Sequence, residues 1–216
     1  MKIAVISDTH NRLKEIIDTG MIPDADILIH AGDLTGRGTI QEISHFNSQL
    51  GRLPHKHKIV IAGNHDWLFQ TNPFLARSII TNAIYLEDSS VVVGGLKFYG
   101  SPWQPTFYDW AFNLNRGLPI LEKWKMIPSD TDVLITHGPP KGILDNVIDD
   151  SRITSAGCAE LRKEVFGRIK PSVHIFGHIH SSPGVYIEKE TTFINATILD
   201  DSYKIQNKPI FFTINT

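Results

Sequence analysis

Cysteine is almost missing from this 216-residue chain. The one cysteine, Cys158, cannot close an internal disulfide, and nothing else suggests an oxidising compartment, so a cytoplasmic protein is expected. Excess positive charge is missing too. Lys and Arg number 21 against 23 Asp and Glu, a formal charge of -2, which leaves no basic field to hold a polyanion and disfavours duplex nucleic acid as a partner. No apolar run reaches about 18 residues, which argues against a membrane partner or span, and the start "MKIAVISD" has too few apolar residues for a secretory leader. Repeats, low-complexity tracts and linker-like stretches are lacking, and the length suits a single domain over residues 1–216.

What is present is a short apolar run that recurs and always ends abruptly in polar or glycine residues: "KIAVISDTH" (2–10), "ADILIHAGD" (25–33), "HKIVIAGNHD" (57–66), "TDVLITHG" (131–138) and "SVHIFGHIH" (172–180). Runs rich in Ile and Val without polar alternation read as strands buried on both faces. Between them, "TIQEISHFNSQLG" places Ile40, Ile43, Phe46 and Leu50 on one helical face behind a Thr39/Glu42 capping box. "GCAELRKEVFGRIKP" spaces Cys158, Leu161, Val165 and Ile169 as a helix, and Asn72–Pro73 opens another. "SSVVVGGLKFYGS", "GVYIEKETTFINAT" and "KPIFFTI" read as antiparallel strands. An α/β fold with an added antiparallel part is expected.

The run ends carry Asp8 and His10, Asp33, Asn64 and His65, His137, and His178 and His180. Ligand sites in open α/β sheets lie beyond the carboxyl ends of strands, so the five tips are expected to converge. Residues two apart in a strand face one side, which would let Asp8 and His10 grip one ion, and His178 and His180 that ion or a neighbour. Two carboxylates, one amide oxygen and four imidazoles exceed a tetrahedral set and suit two adjacent divalent ions sharing a carboxylate. Imidazole and oxygen donors without thiolate select Mn, Fe, Co, Ni or Zn, with manganese the first expectation, over iron–sulfur or copper(I).

In order, "SDTH", "AGD", "GNHD", "THG" and "GHIH" resemble the five blocks of the calcineurin-like metallophosphoesterases. "YGSPWQPTFYDWAFNLNRG", "THGPPKG", "GCAEL" and "FINAT" resemble a subgroup of that superfamily, the metallophosphoesterase-domain-containing proteins first described as brain protein 239 and regarded as class III cyclic-nucleotide-type phosphodiesterases. The resemblance implies two packed mixed β-sheets flanked by helices. It implies one ion held by Asp8, His10, Asp33 and His180, with Asp33 bridging to a second ion held by Asn64, His137 and His178. It makes His65 a proton donor or phosphate contact, oriented by Asp66. The reaction implied is hydrolysis of a P–O bond in a small phosphodiester, cyclic-nucleotide-like, by a hydroxide bridging two ions about 3.5 to 4 Å apart. A phosphomonoesterase, a nuclease or a non-catalytic scaffold of the same fold are the competing readings.

Several residues stand outside this pattern. Trp103, Phe107, Tyr108, Trp110 and Phe112 read either as a loop pinned by its own rings or as a wall for a substrate ring, with Trp103 and Arg116 the substrate-binding candidates. His30 and His174 lie within apolar runs and read as satisfied core groups, while His45, His55 and His57 read as surface. Cys158 reads as an inert small hydrophobe, and Asp200 and Asp201 as a solvated turn.

Overall fold

The structure, a computed structural model, describes residues 1–149 and 152–214. Side-chain alternation along doubly buried strands organises it. In Lys2–Ile6, Ile3 and Val5 face one way and Ala4 and Ile6 the other, and all four are buried. The same division places Ile27 and Ile29 opposite Leu28 in Ile27–Ala31, and Ile59 and Ile61 opposite Val60 in His57–Ile61. These three strands are parallel neighbours, extended by Ile84–Tyr85 at one edge and by antiparallel Ile210–Thr213 at the other.

A second sheet runs Gly184–Glu188, Thr191–Asn195, Val173–Phe176, Val133–Thr136, Leu96–Ser101, Ser89–Val93. Its centre is parallel and each edge is an antiparallel hairpin. The two mixed sheets pack face to face, with Ile3, Val5 and Ile29 of the first against Phe98, Ile135 and Ile175 of the second. Leu13–Asp18, Ile40–Gly51 and Pro73–Ile79 cover the outer face of the first sheet, and Leu118–Lys125 and Ala159–Glu164 cover that of the second. This is the α/β arrangement of two packed mixed sheets flanked by helices.

Local expectations hold with instructive exceptions. The capping box is complete: Glu42 N donates to Thr39 Oγ1 at 3.2 Å and Thr39 N to Glu42 Oε2 at 2.9 Å. Ile40, at the first helical position, is exposed because the apolar stripe begins only at Ile43. The helix after Cys158 widens into a π turn at Val165–Ile169, which keeps both of those residues in the core. His30 and His174 are core groups, each bonding a threonine hydroxyl through Nε2 at 2.9 Å, but they are only half satisfied, since neither Nδ1 has a partner among the described residues; His55 is buried rather than on the surface, its Nε2 on the Pro23 carbonyl at 3.0 Å. Cys158 is buried, with Trp124 Nε1 donating to its sulfur at 3.3 Å. No helix among the described residues is long and apolar enough to cross a membrane.

The five apolar runs do not lie in one sheet. Three belong to the first and two to the second, and their tips meet because the sheets are joined at that end. Ser7 and Thr197 form a parallel bridge from one sheet to the other, and Ile198 N donates to Ser7 O at 3.1 Å. His137, beyond the end of a second-sheet strand, reaches across to the Ala31 carbonyl of the first, Nδ1 to O 3.0 Å.

Candidate metal centre

The strands end at Ile6, Ala31, Ile61, Thr136 and Phe176, one to four residues before the ligand candidates. Asp8, His10, Asp33 and His178 therefore sit on turns, all in the left-handed region with φ of 55°, 38°, 53° and 67°. Such a conformation costs a non-glycine residue about 1–3 kcal/mol and survives only where the surroundings enforce it. Here they do: Asp8 N donates to Gly32 O, His10 N to Asp33 O, and His178 N to both Asp8 carboxylate oxygens, all at 3.0–3.1 Å. The expectation that residues two apart share a strand face is thus corrected. Asp8 and His10 meet through a left-handed loop, and His178 and His180 point into different clusters.

Those clusters interlock. Asp8, His10 and His180 present donor atoms within 4.8 Å of one another, as do Asp33, His137 and His178, and also His10, Asp33 and His65. Asp33 Oδ2 stands 3.6 Å from His10 Nε2 and 3.4 Å from His137 Nε2, between the two groups. Asn64 Oδ1 joins the second through His137 Nε2 at 2.9 Å, and Asp8 Oδ1 lies 3.5 Å from His180 Nε2. Three imidazoles are oriented alike by backbone carbonyls on Nδ1: His137 by Ala31, His180 by Asp200 at 3.0 Å and His65 by Gly36 at 2.8 Å. An Nδ1–H anchored this way leaves Nε2 as the free donor atom.

Electrostatics follow from so much charge in a dry place. Burial pushes the Asp8 carboxyl up, but the hydrogen bond and charge of His180 outweigh it and hold the group below the usual range. Asp33 is likewise held down by His137 against its own burial. The partners move the opposite way: burial would lower His137 and His180, yet Asp33 and Asp8 respectively raise them to about 9. Burial wins for His10, lowered to about 4, and for His178, lowered to about 3.

The donor set fits a pair of divalent ions. Both ring nitrogens of His10 are buried without a hydrogen-bond partner, a costly state for polar atoms that a cation would relieve. Two carboxylates, an amide oxygen and imidazoles with no thiolate match borderline transition metals.

His65 and Asp66 are adjacent in sequence and separate in role. The Asp66 carboxylate is fully buried and accepts from Gly63 N, Leu34 N, Thr35 N and Thr35 Oγ1 at 2.7–3.0 Å. It does not touch the His65 ring, whose Nδ1 faces Gly36 and whose face stacks on Trp110 at 4.2 Å. Asp66 as the orienting partner of His65 is therefore corrected: four short donors surround the carboxylate and leave it no reach toward the imidazole.

A cavity of about 490 Å³ opens over the clusters, lined by His10, Asp33, Asn64, His65, His178 and His180 at its base. Phe107, Tyr108 and Trp110 form its aromatic wall and Arg116 its edge, the guanidinium donating to the Ala156 and Gly157 carbonyls at 2.8 Å. Trp103, expected at the substrate, is turned away: its indole N–H donates to Asp88 at 2.9 Å and Lys123 sits over its ring.

Sequence reading missed three further groups. A Cβ on Gly63 would lie 2.3 Å from Asp33 Oδ1, and one on Gly177 2.0 Å from Asp8 Oδ2, so both glycines make room for ligand carboxylates. Each directly precedes a ligand candidate, the one signal available. The turn at Asp200 is more than solvated loop, since its carbonyl anchors His180 and Tyr203 after it lines the cavity.

Residues 1–182 match the calcineurin-like phosphoesterase family. The chain is 43% identical to the metallophosphoesterase domain-containing protein 1 of Homo sapiens and of Mus musculus, over 100% of this chain and 71% of either relative. It is also 43% identical to the UPF0046 protein C25E10.12 of Caenorhabditis elegans, over 99% of this chain and 81% of that one. One solved structure, 19% identical, superposes with a TM-score of 0.66 over 90% of this chain and 89% of its own. TT1561 of Thermus thermophilus, 13% identical, gives 0.58 over 90% and 88%; these two likenesses speak for the fold. On the family match across most of its length and its 43% identity to a relative over 100% of its own span, this chain belongs to the calcineurin-like phosphoesterase family.

Proposed function

We propose that this protein is a cytoplasmic phosphodiesterase that uses two divalent transition-metal ions, manganese first among them, to hydrolyse a small phosphodiester of cyclic-nucleotide type. The observation that carries the reading is Asp33, set between two donor clusters at the base of an aromatic-walled cavity.

Asp8, His10, Asp33 and His180 would hold one ion, and Asp33, Asn64, His137 and His178 the other. Bound there, the pair would polarise phosphoryl oxygens and make water a competent nucleophile near neutral pH. The chain's own groups supply the rest. The Gly36 carbonyl accepts a hydrogen bond from Nδ1–H of His65 and Trp110 packs its face, so Nε2 is the nitrogen left to carry a proton and, from the imidazolium, give it to the departing oxygen. Backbone carbonyls on His137 and His180 keep their Nε2 atoms aimed at the carboxylates. Phe107, Tyr108 and Trp110 offer faces to an aromatic substituent, and their apolar wall excludes water from one side of the reacting ester.

Metal analysis of the purified protein, with hydrolysis of bis-p-nitrophenyl phosphate and p-nitrophenyl phosphate under added Mn²⁺, Ni²⁺ or Zn²⁺, tests this reading. The expected result is about two ions per chain, with diester cleavage exceeding monoester cleavage and lost in Asp33→Ala. Two ions without turnover would favour a scaffold, and no bound metal under any loading would remove the proposal's basis.

A further inference from the structure

We propose that Tyr203 is a substrate-contacting residue, its ring walling the cavity over His10 and His180 and its hydroxyl donating a hydrogen bond to a phosphoryl oxygen. This rests on the phosphoester reading above and adds a group from outside residues 1–182, the part that matches the family.

Position comes first. The Tyr203 ring meets His10 edge to face at 4.9 Å and His180 at 5.4 Å, and lies 6.4 Å from His65. It thus touches two of the ligand candidates of one cluster and stands near the proposed proton donor. Phe107 and Trp110 flank the site elsewhere, beside His178 at 5.9 Å and on His65, so Tyr203 closes the aromatic surround. About half of the residue stays open at the cavity, and its hydroxyl bonds to no described residue. Core packing therefore does not account for the ring, and nothing internal uses the O–H.

The backbone then shows how firmly the ring is set. Tyr203 has a φ of 58°, an outlier for a bulky side chain. Its N–H donates to Asp200 O at 2.9 Å, and Arg12 Nη1 donates to its carbonyl at 2.5 Å. The Asp200 carboxylate accepts from Ser202 N and Lys204 N, both at 2.9 Å, which locks the turn. Because the Asp200 carbonyl also accepts a hydrogen bond from His180 Nδ1–H, one turn fixes a ligand candidate and the phenol relative to each other. A neutral O–H held at the rim of a centre that two divalent ions would make cationic suits the oxygens of a phosphoester, which are acceptors only.

Calorimetric binding of inorganic phosphate to Mn²⁺-loaded protein, beside bis-p-nitrophenyl phosphate kinetics, tests the assignment in Tyr203→Phe, which keeps the ring and removes the hydroxyl. Metal content should equal that of wild type, while phosphate Kd rises about five- to tenfold, the worth of one hydrogen bond, and kcat/KM falls by a similar factor. Tyr203→Ala should weaken diester turnover further by removing the wall. A Phe variant with wild-type phosphate affinity would overturn the contact, as would loss of metal equal in both variants, which would make Tyr203 a mere cover for His10 and His180. Tyrosine-dependent phosphate binding with no turnover in wild type would sustain the contact and sink the hydrolase reading.

Discussion

Replacing Asp66 by alanine separates the two roles open to it, and the structure sets the size of the effect. Its carboxylate ties the loop carrying Asp33 to the loop carrying Asn64: Leu34 N and Thr35 N follow the first ligand candidate, and Gly63 N precedes the second. In Asp66→Ala three buried backbone N–H groups and the Thr35 hydroxyl lose their acceptor together. An unpaired buried donor costs about 1–3 kcal/mol, and water entering the vacated space keeps the sum near the low end, at roughly 3–5 kcal/mol. That is a large part of a stability that ordinarily totals about 5–15 kcal/mol. At about 2–4 °C per kcal/mol for a chain of this size, Tm should fall on the order of 10 °C.

Thermal unfolding of the metal-free protein reads this directly, and metal analysis of the loaded variant reads the consequence. The second cluster should lose occupancy first, because Asn64 and Asp33 are the groups set adrift. His65→Ala is the control, expected to lose diester turnover with Tm and metal content near wild type. The reasoning is refuted if Asp66→Ala keeps its Tm within a degree or two and its full metal content while reproducing the kinetic defect of His65→Ala. Asp66 would then act through the imidazole after all.

Other expectations test other links. Gly177→Ala would drive a Cβ into Asp8 Oδ2 and Ser7 Oγ, at 2.0 and 2.1 Å, so the ion beside Asp8 should be lost and stability should fall by about 1–3 kcal/mol; normal metal stoichiometry would contradict this. His137 and His180, raised to about 9, carry protons at neutral pH without metal and must release them to ligate. Metal affinity should therefore climb with pH toward that value, and calorimetry in buffers of different ionisation enthalpy should register proton release on binding. His174 is buried and held neutral, lowered to about 3, so below the unfolded value the unfolded chain takes up a proton that the native chain refuses. Stability is full above the unfolded pKa and falls with acid, by about 2.3 kcal/mol between pH 6.5 and 4.5 for this one histidine, and His174→Gln should flatten that part of the urea-unfolding pH profile.

How far the sequence could be read divides along a physical line. Runs such as "KIAVI" and "VHIF" announce doubly buried strands because the requirement is local: every position faces a core. The metal candidates were legible for a related reason, since donor chemistry and strand-end placement are both written in the chain. The distribution of five runs over two sheets was not legible from periodicity, because no residue within a buried run says which neighbour it pairs with. Asp66 and Trp103 failed similarly. A carboxylate beside a histidine reads as its partner until the loop at Leu34 and Thr35 folds over it, and an indole in an aromatic segment reads as a substrate wall until Asp88 claims its N–H.

The left-handed turns join these threads. An extended strand would hold Asp8 and His10 on one face and His178 and His180 on one face, so that neither pair could divide between two ions. Left-handed turns at Asp8, His10, Asp33 and His178 break the extended path, and His178 N comes to rest on Asp8 while its imidazole joins Asp33 and His137. In that geometry Asp33 stands between the two clusters. The strain at four positions is held by hydrogen bonds that run between loops, which explains why the glycines beside the ligand candidates are as constrained as the candidates themselves: at Gly63 and Gly177 the closest atoms are the carboxylates of Asp33 and Asp8. The second cluster therefore depends on the first for its backbone position, and a variant that releases Asp8 from His178 N should weaken metal binding in both.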